Sequence, residues 1–223
     1  MTNADGIIAD LPQIAGGWQT ITVDLGRRQF QLCLPADPDA LLDVAVDDTI
    51  PYWAYLWPTS YDMAAWILST DWRPPGDVLE IGSGIGLTGL AGLAAGWPLI
   101  FSDFEPLAVH LATVNARLNS FTDAGGALID WRESPPQQYS AIFGCDVTYE
   151  RADHASLLNF LDAALIPDGV CWLADCHRAA TEEFLAGARE HGYEISSRDL
   201  PAVDFPHRPK FSSVLRRLTR GGF

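Results

Sequence analysis

Apolar positions along this chain change rhythm several times, and each change marks an element. From Trp18 to Leu34 the runs WQTITVDL and RQFQLCL flank Gly26 and Arg27 and alternate apolar with polar residues, the pattern of a β-hairpin with one buried face. A loop rich in Asp and Pro follows, from Pro35 to Pro51. PPGDVLEIG then carries a short apolar run without alternation, bounded by Pro and Gly, which predicts a strand covered on both faces. Beyond it the two kinds of pattern take turns. GLTGLAGLAAG, EPLAVHLATVNARLN, ADHASLLNFLDAAL and ATEEFLAGAREHG read as helices, and WPLIFSD, GALID, YSAIFGCD, PDGVCWLAD and YEISSRDL read as strands. KFSSVLRRL follows the last of these without a good helix between them, so it is expected to close the sheet as an antiparallel strand. The result is an α/β fold: a mostly parallel sheet with helices on both faces, built by right-handed crossovers, plus an N-terminal β-hairpin extension. Residues 1–50 are expected to form that extension and residues 51–223 the main domain.

Composition narrows this little but excludes several classes. The 223 residues, 48% of them hydrophobic, suffice for one sizeable core. No apolar run reaches the roughly 18 residues of a membrane span, and MTNADGIIAD lacks the basic start and apolar stretch of a signal peptide, so a cytoplasmic location is expected. Cys33, Cys145, Cys171 and Cys176 form no C-x-x-C pair and predict free, mostly buried thiols. Twenty-nine acidic against fourteen basic residues give a net charge of −15, a field that repels phosphate backbones and suits a cationic or lysine-bearing partner. The basic residues that do cluster are late: His207, Arg208, Lys210, Arg216, Arg217 and Arg220. The five histidines show no metal-ligand spacing, and His154 alone follows the candidate site closely enough to line it. No metal is expected.

The chemistry concentrates in VLEIGSGIGLTG, where a strand turns into a helix through Gly82, Ser83, Gly84, Gly86 and Gly89. Glycines there let a ligand approach the backbone, and the helix start offers unpaired N–H groups. Gly84, Gly86 and Gly89 spell G-x-G-x-x-G, so a dinucleotide must be weighed. Counted from Gly82, the first glycine after the strand, the third glycine of that motif is replaced by Leu87, and Glu80 beside the turn would repel a pyrophosphate. S-adenosylmethionine, with its ammonium, sulfonium and ribose, suits both features. Asp103, at the end of the next strand, can accept the ribose hydroxyls, although an acidic residue there serves either ligand. Asp130 and Trp131 can meet the adenine, and Cys145 and Asp146 leave the neighbouring strand where the reactive crevice of such a sheet lies. Asp153 is the expected N-cap of the following helix, which leaves Asp146 for function.

Together, VLEIGSGIGLTG, SDFEP, IDWRE and GCDVTYE with the upstream PYWAYLWP resemble the seven-strand, Rossmann-like protein-lysine methyltransferases, among them the enzymes that modify valosin-containing protein and the electron-transfer flavoprotein β subunit. The likeness runs from about Pro51 to Ala174. It implies cofactor contacts at Trp57, Glu80, Gly82, Ser83, Gly84, Asp103, Trp131 and Cys145, and catalytic, acceptor-side roles for Asp146 and Tyr149 of the D-x-x-Y signature. Pro58 suits the first turn of a helix that packs Met63, Ala64, Ile67 and Leu68 on the sheet. The aromatics before it would cover the cofactor, with Trp57 toward its methionine end and Tyr52, Trp53 and Tyr55 toward the substrate. The implied activity is S-adenosylmethionine-dependent methylation of a lysine in a protein substrate. A small amine or another protein side chain as acceptor, or an inactive cofactor-binding module, are the alternatives.

Overall fold

In the computed structural model of the protein, residues 4–44, 50–201 and 212–220 are described. A short helix, α1 (Ala4–Ile8), precedes the expected hairpin of β1 (Trp18–Asp24) and β2 (Gln29–Pro35). Its strands pair from Trp18 opposite Pro35 to Asp24 opposite Gln29. Phe30 and Leu32 of β2 are fully buried, in the same apolar cluster that holds the first helices of the main sheet.

The main sheet has seven strands: β3 (Val78–Ile81), β4 (Leu99–Asp103), β5 (Gly125–Leu128), β6 (Tyr139–Cys145), β7 (Leu165–Asp175), β8 (Tyr193–Leu200) and β9 (Ser213–Arg220), in the order β5-β4-β3-β6-β7-β9-β8. Six strands run parallel, and β9 is inserted antiparallel between β7 and β8. All four residues of β3 are buried, as its unbroken apolar run requires in the middle of a covered sheet. Side chains alternate between the two faces. Ala141, Phe143, Trp172 and Ala174 meet α2 (Pro58–Ser69), α3 (Leu87–Ala94) and α4 (Pro106–Leu118), whereas Ile142, Cys171 and Leu173 meet α5 (His154–Ala164) and α6 (Ala179–Glu190). Strand order reverses beside β3, so the carboxyl ends of β3, β4 and β6 open onto a crevice, the place where such sheets bind ligands.

Two expectations change at the level of single residues. Asp153 makes no capping hydrogen bond: a turn of 3-10 helix, Arg151–Asp153, gives it helical dihedrals, and Glu150 accepts the N–H of Ala152 instead. Within the late basic group, Arg216 is buried against Asp175 and Glu182 and Arg220 reaches Asp162, so both serve the fold. His207, Arg208 and Lys210 lie outside the described residues.

The hairpin is fastened to α4 by two asparagines four residues apart. The side-chain oxygen of Asn115 accepts the N–H of Cys33 at 2.7 Å, and its Nδ2 donates to the carbonyls of Cys33 and Ile85, both at 2.9 Å. Asn119 repeats the pairing at Gln31. Four residues of helix rise about 6.0 Å and two residues of strand about 6.6 Å, so consecutive asparagines on one helix face meet alternate residues of the strand edge. Asn115 also holds Ile85 of the glycine loop, which links the hairpin to the crevice. Asn115→Leu leaves three buried backbone groups unpaired and is expected to cost roughly 3 kcal/mol. Thermal unfolding checks this: Asn119→Leu, at a more exposed position, should lower Tm by less.

Candidate active site

At the carboxyl ends of β3, β4 and β6 lies a cavity of about 490 Å³. Thirteen of the positions expected from the sequence line it: Trp57, Glu80, Gly82, Ser83, Gly84, Asp103, Trp131, Cys145, Asp146, Tyr149, Tyr52, Trp53 and Tyr55. Asp130 and His154 do not. Arg132, two residues along, takes the carboxylate of Asp130 and holds its pKa below the usual value. His154 bonds the carbonyl of Thr148 and packs edge-on against Phe184.

The floor is the turn between β3 and α3. Gly84 has φ 48°, and a Cβ there would sit 3.2 Å from the carbonyl oxygen of Trp53, so the aromatic segment closes directly over the loop. Asp103 ends β4, nearly buried, with Oδ2 accepting the N–H of Gly84 and Oδ1 that of Glu105, each at 3.0 Å. It therefore braces the loop as well as facing the cavity. Burial raises its pKa despite these bonds. Glu80 is 3% exposed, and its Oε2 has no hydrogen-bond partner among the described residues. Burial, partly offset by the N–H of Gly89 and reinforced by Asp103, pushes its pKa up to about 8. A carboxyl in that state lacks a positive partner. Trp131 also lines the cavity, and its indole N–H is likewise buried and unpartnered among the described residues. The thiol of Cys145 lies 3.4 Å from the Thr88 hydroxyl, and burial pushes its pKa strongly up.

The opposite end is aromatic. Tyr52–Ala54 forms a single turn, Trp57 is extended, and Pro58 begins α2 at the first helical position, where its missing N–H costs nothing. The indole N–H of Trp57 donates to the carbonyl of Tyr52 at 3.1 Å. Ring centroids of Tyr52 lie 5.2 Å from Tyr149 and 6.0 Å from Trp57, and Tyr55 lies 6.2 Å from Trp57. The Tyr55 hydroxyl donates to Asp39, and its own pKa is pushed up to about 12 by that bond.

Between these ends sits Asp146, in left-handed backbone at φ 51°. Its carboxylate accepts the Thr59 hydroxyl at 2.5 Å and pairs with the Arg178 Nε at 3.1 Å. The same guanidinium lies 5.9 Å over the ring of Trp57. Sequence reasoning placed Asp146 and Trp57 here but missed Arg178 and Thr59. The position of Arg178 just past the carboxyl end of β7, next to the strand that carries Asp146, was the signal available. Among the described residues no cluster of His, Cys, Asp and Glu can hold a metal ion, and no helix is long and apolar enough to cross a membrane.

A family model described as lysine methyltransferase matches residues 53–190, from the aromatic segment through α6. No curated protein matches the chain. Solved structures share its fold at low identity. A ribosomal protein L11 methylase from Lactobacillus delbrueckii subsp. bulgaricus is 16% identical with a TM-score of 0.58, over 73% of this chain and 79% of that one. The Pyrococcus abyssi tRNA (uracil-54, C5)-methyltransferase, solved with S-adenosyl-L-homocysteine, is 17% identical with a TM-score of 0.59, over 91% of this chain and 45% of that one. A Synechocystis magnesium protoporphyrin IX methyltransferase, solved with S-adenosylmethionine bound, is 19% identical with a TM-score of 0.55, over 72% and 78%. These likenesses establish a Rossmann-like methyltransferase fold.

Proposed function

This chain belongs to the lysine methyltransferase family, and from that premise we propose that it methylates the side-chain amine of a lysine in another protein. It is a methyltransferase, and its cofactor is S-adenosylmethionine. The residues present fit that cofactor. The orphaned, buried oxygen of Glu80 suits a cationic group, the glycine turn allows close approach, and Trp131 offers a flat apolar wall with an unpartnered N–H. When bound, S-adenosylmethionine supplies an electrophilic methyl carbon for in-line displacement.

The chain's own task is to present an amine with a free lone pair. The observation that carries the lysine reading is the group of rings from Tyr52, Tyr55, Trp57 and Tyr149 at the cavity mouth, which can take an aliphatic stem and exclude water. The acceptor amine then meets an Asp146–Arg178 pair rather than a bare carboxylate. An isolated carboxylate would favour the ammonium form, which has no lone pair. Arg178 offsets that charge and disfavours a second cation nearby, so the pair can orient the amine without keeping it protonated. Tyr149, its ring centroid 5.2 Å from that of Tyr52 in an edge-on contact, narrows the approach. A net charge of −15 sets the protein against nucleic-acid acceptors. Incubation with labelled S-adenosylmethionine and cell lysate, followed by acid hydrolysis, tests the reading: label should appear as methylated lysine, and label in nucleic acid, small molecules or another amino acid overturns it.

Two further results are expected at the cofactor end. Asp103→Ala removes a charged acceptor and loosens Gly84, and should weaken S-adenosylhomocysteine binding by about 1.5–3 kcal/mol, read by calorimetric titration; unchanged affinity removes Asp103 from the site. Glu80, neutral below about pH 8 in the free protein, must ionise when a ligand ammonium arrives. Affinity should therefore rise with pH up to about 8 and level off above it, and binding near pH 7 should release close to one proton. Titrations in buffers of different ionisation enthalpy measure that release, which Glu80→Gln should abolish.

A further inference from the structure

Seven large hydrophobic side chains are exposed among the described residues: Leu42, Val44, Ile50, Tyr52, Phe104, Leu128 and Tyr149. They are not scattered. Ile50, Tyr52, Phe104 and Tyr149 line the cavity. Leu42 and Val44 stand on the turn Asp39–Val44, none of whose residues is buried and whose Leu41 also lines the cavity. The Tyr55 hydroxyl ties this turn to the aromatic segment through Asp39. Leu128 alone has no such place. Val44 is 62% exposed and Phe104 47%, too much apolar surface beside an opening to be a by-product of the core.

The arginines at this rim are paired, which leaves its excess charge acidic. The loop and turn carry Asp37, Asp39 and Asp43, and Glu105 lines the cavity. Arg178, the one basic residue in the lining among the described residues, is already paired with Asp146. Two neighbouring arginines are answered as well, Arg132 by Asp130 and Arg151 by Glu183. A small amine would fit the cavity and leave Leu42 and Val44 touching nothing.

We infer that this rim is the docking surface for the acceptor, and that the segment it takes is a basic polypeptide with bulky apolar side chains close to the methylated lysine. The inference rests on the lysine-acceptor reading above and adds the character of the sequence around the lysine. Apolar contacts to Leu42, Val44, Ile50 and Phe104 hold the segment, and the acidic turn selects its charge and speeds its arrival.

The test compares the intact chain with Leu42→Ser, Val44→Ser and Asp43→Asn, none of which lines the cavity, after each has been shown to bind S-adenosylhomocysteine as the intact chain does. Labelled S-adenosylmethionine and cell lysate supply donor and acceptor. Label should enter protein with the intact chain and fall at least about fivefold with Leu42→Ser and Val44→Ser. The Asp43→Asn loss should be visible at low salt and fade as salt is raised. A synthetic peptide of alternating Lys, Leu and Phe should compete, and its Glu counterpart should not. Equal labelling by all variants, or competition by both peptides alike, overturns the docking surface and leaves lysine methylation standing. Absence of label from the protein fraction overturns both.

Discussion

Asp146→Asn is expected to lower methyl transfer by about a hundredfold, about 2.7 kcal/mol in the barrier, while S-adenosylhomocysteine affinity stays within about twofold. Asparagine is the informative choice because it tolerates the left-handed backbone that Asp146 adopts at φ 51°. Its amide can still meet Thr59 and accept from Arg178, so the substitution removes charge and little else. Arg178 is then left uncompensated over Trp57, and the pair no longer holds the acceptor amine in line. Arg178→Met should also reduce turnover, and the double variant should lose much less than the sum of the two, because both act through one pair. Additive losses would separate the two residues. Loss of cofactor affinity together with turnover would move Asp146 from the acceptor side into the cofactor site or the fold.

Gly89→Ala should damage stability and binding together. In an ordinary helix this change is worth up to about 1 kcal/mol in favour of alanine. At Gly89 the added Cβ would fall well inside contact distance of Phe101 Cε1 and Glu80 Oε2, and 2.7 Å from Phe101 Cδ1. Phe101 is fully buried in β4, and Glu80 is held in β3, so neither can swing away. Helix α3 must lift from the sheet, at a cost of about 3 kcal/mol, or a Tm lower by roughly 6–12 °C for a domain of this size. The shift also carries the glycine loop away from Asp103. Gly76→Ala, whose Cβ would lie 3.5 Å from Ser140, is the control and should leave Tm nearly unchanged. Equal behaviour of the two variants would mean that the Gly89 contact is not tight.

Legibility followed the distance between interacting residues. Asp130 was expected to face adenine, yet Arg132, two positions away, captures it; that competition was local and could have been read. Asp153 was expected to cap α5, but a single intervening turn changed its dihedrals. Arg178 and Thr59 escaped for a different reason. They lie 32 and 87 positions from Asp146, and only the pairing of β6 with β7 and the packing of α2 over β6 bring them to one carboxylate.

Hydrophobic rhythm and a few local motifs determined the elements, the mostly parallel sheet with an antiparallel final strand, and the glycine turn with Glu80 and Asp103, because backbone preference and burial pattern act over a handful of neighbours. Tertiary structure decided which charges distant in the chain met. It paired Asp146 with Arg178, left Glu80 without a positive partner among the described residues, fastened the hairpin to the glycine loop through Asn115, and gathered six of the seven exposed large apolar side chains at or beside one opening. The energy of each of those contacts depends on separations of a few ångströms between residues far apart in the chain, a quantity that only the packed fold sets.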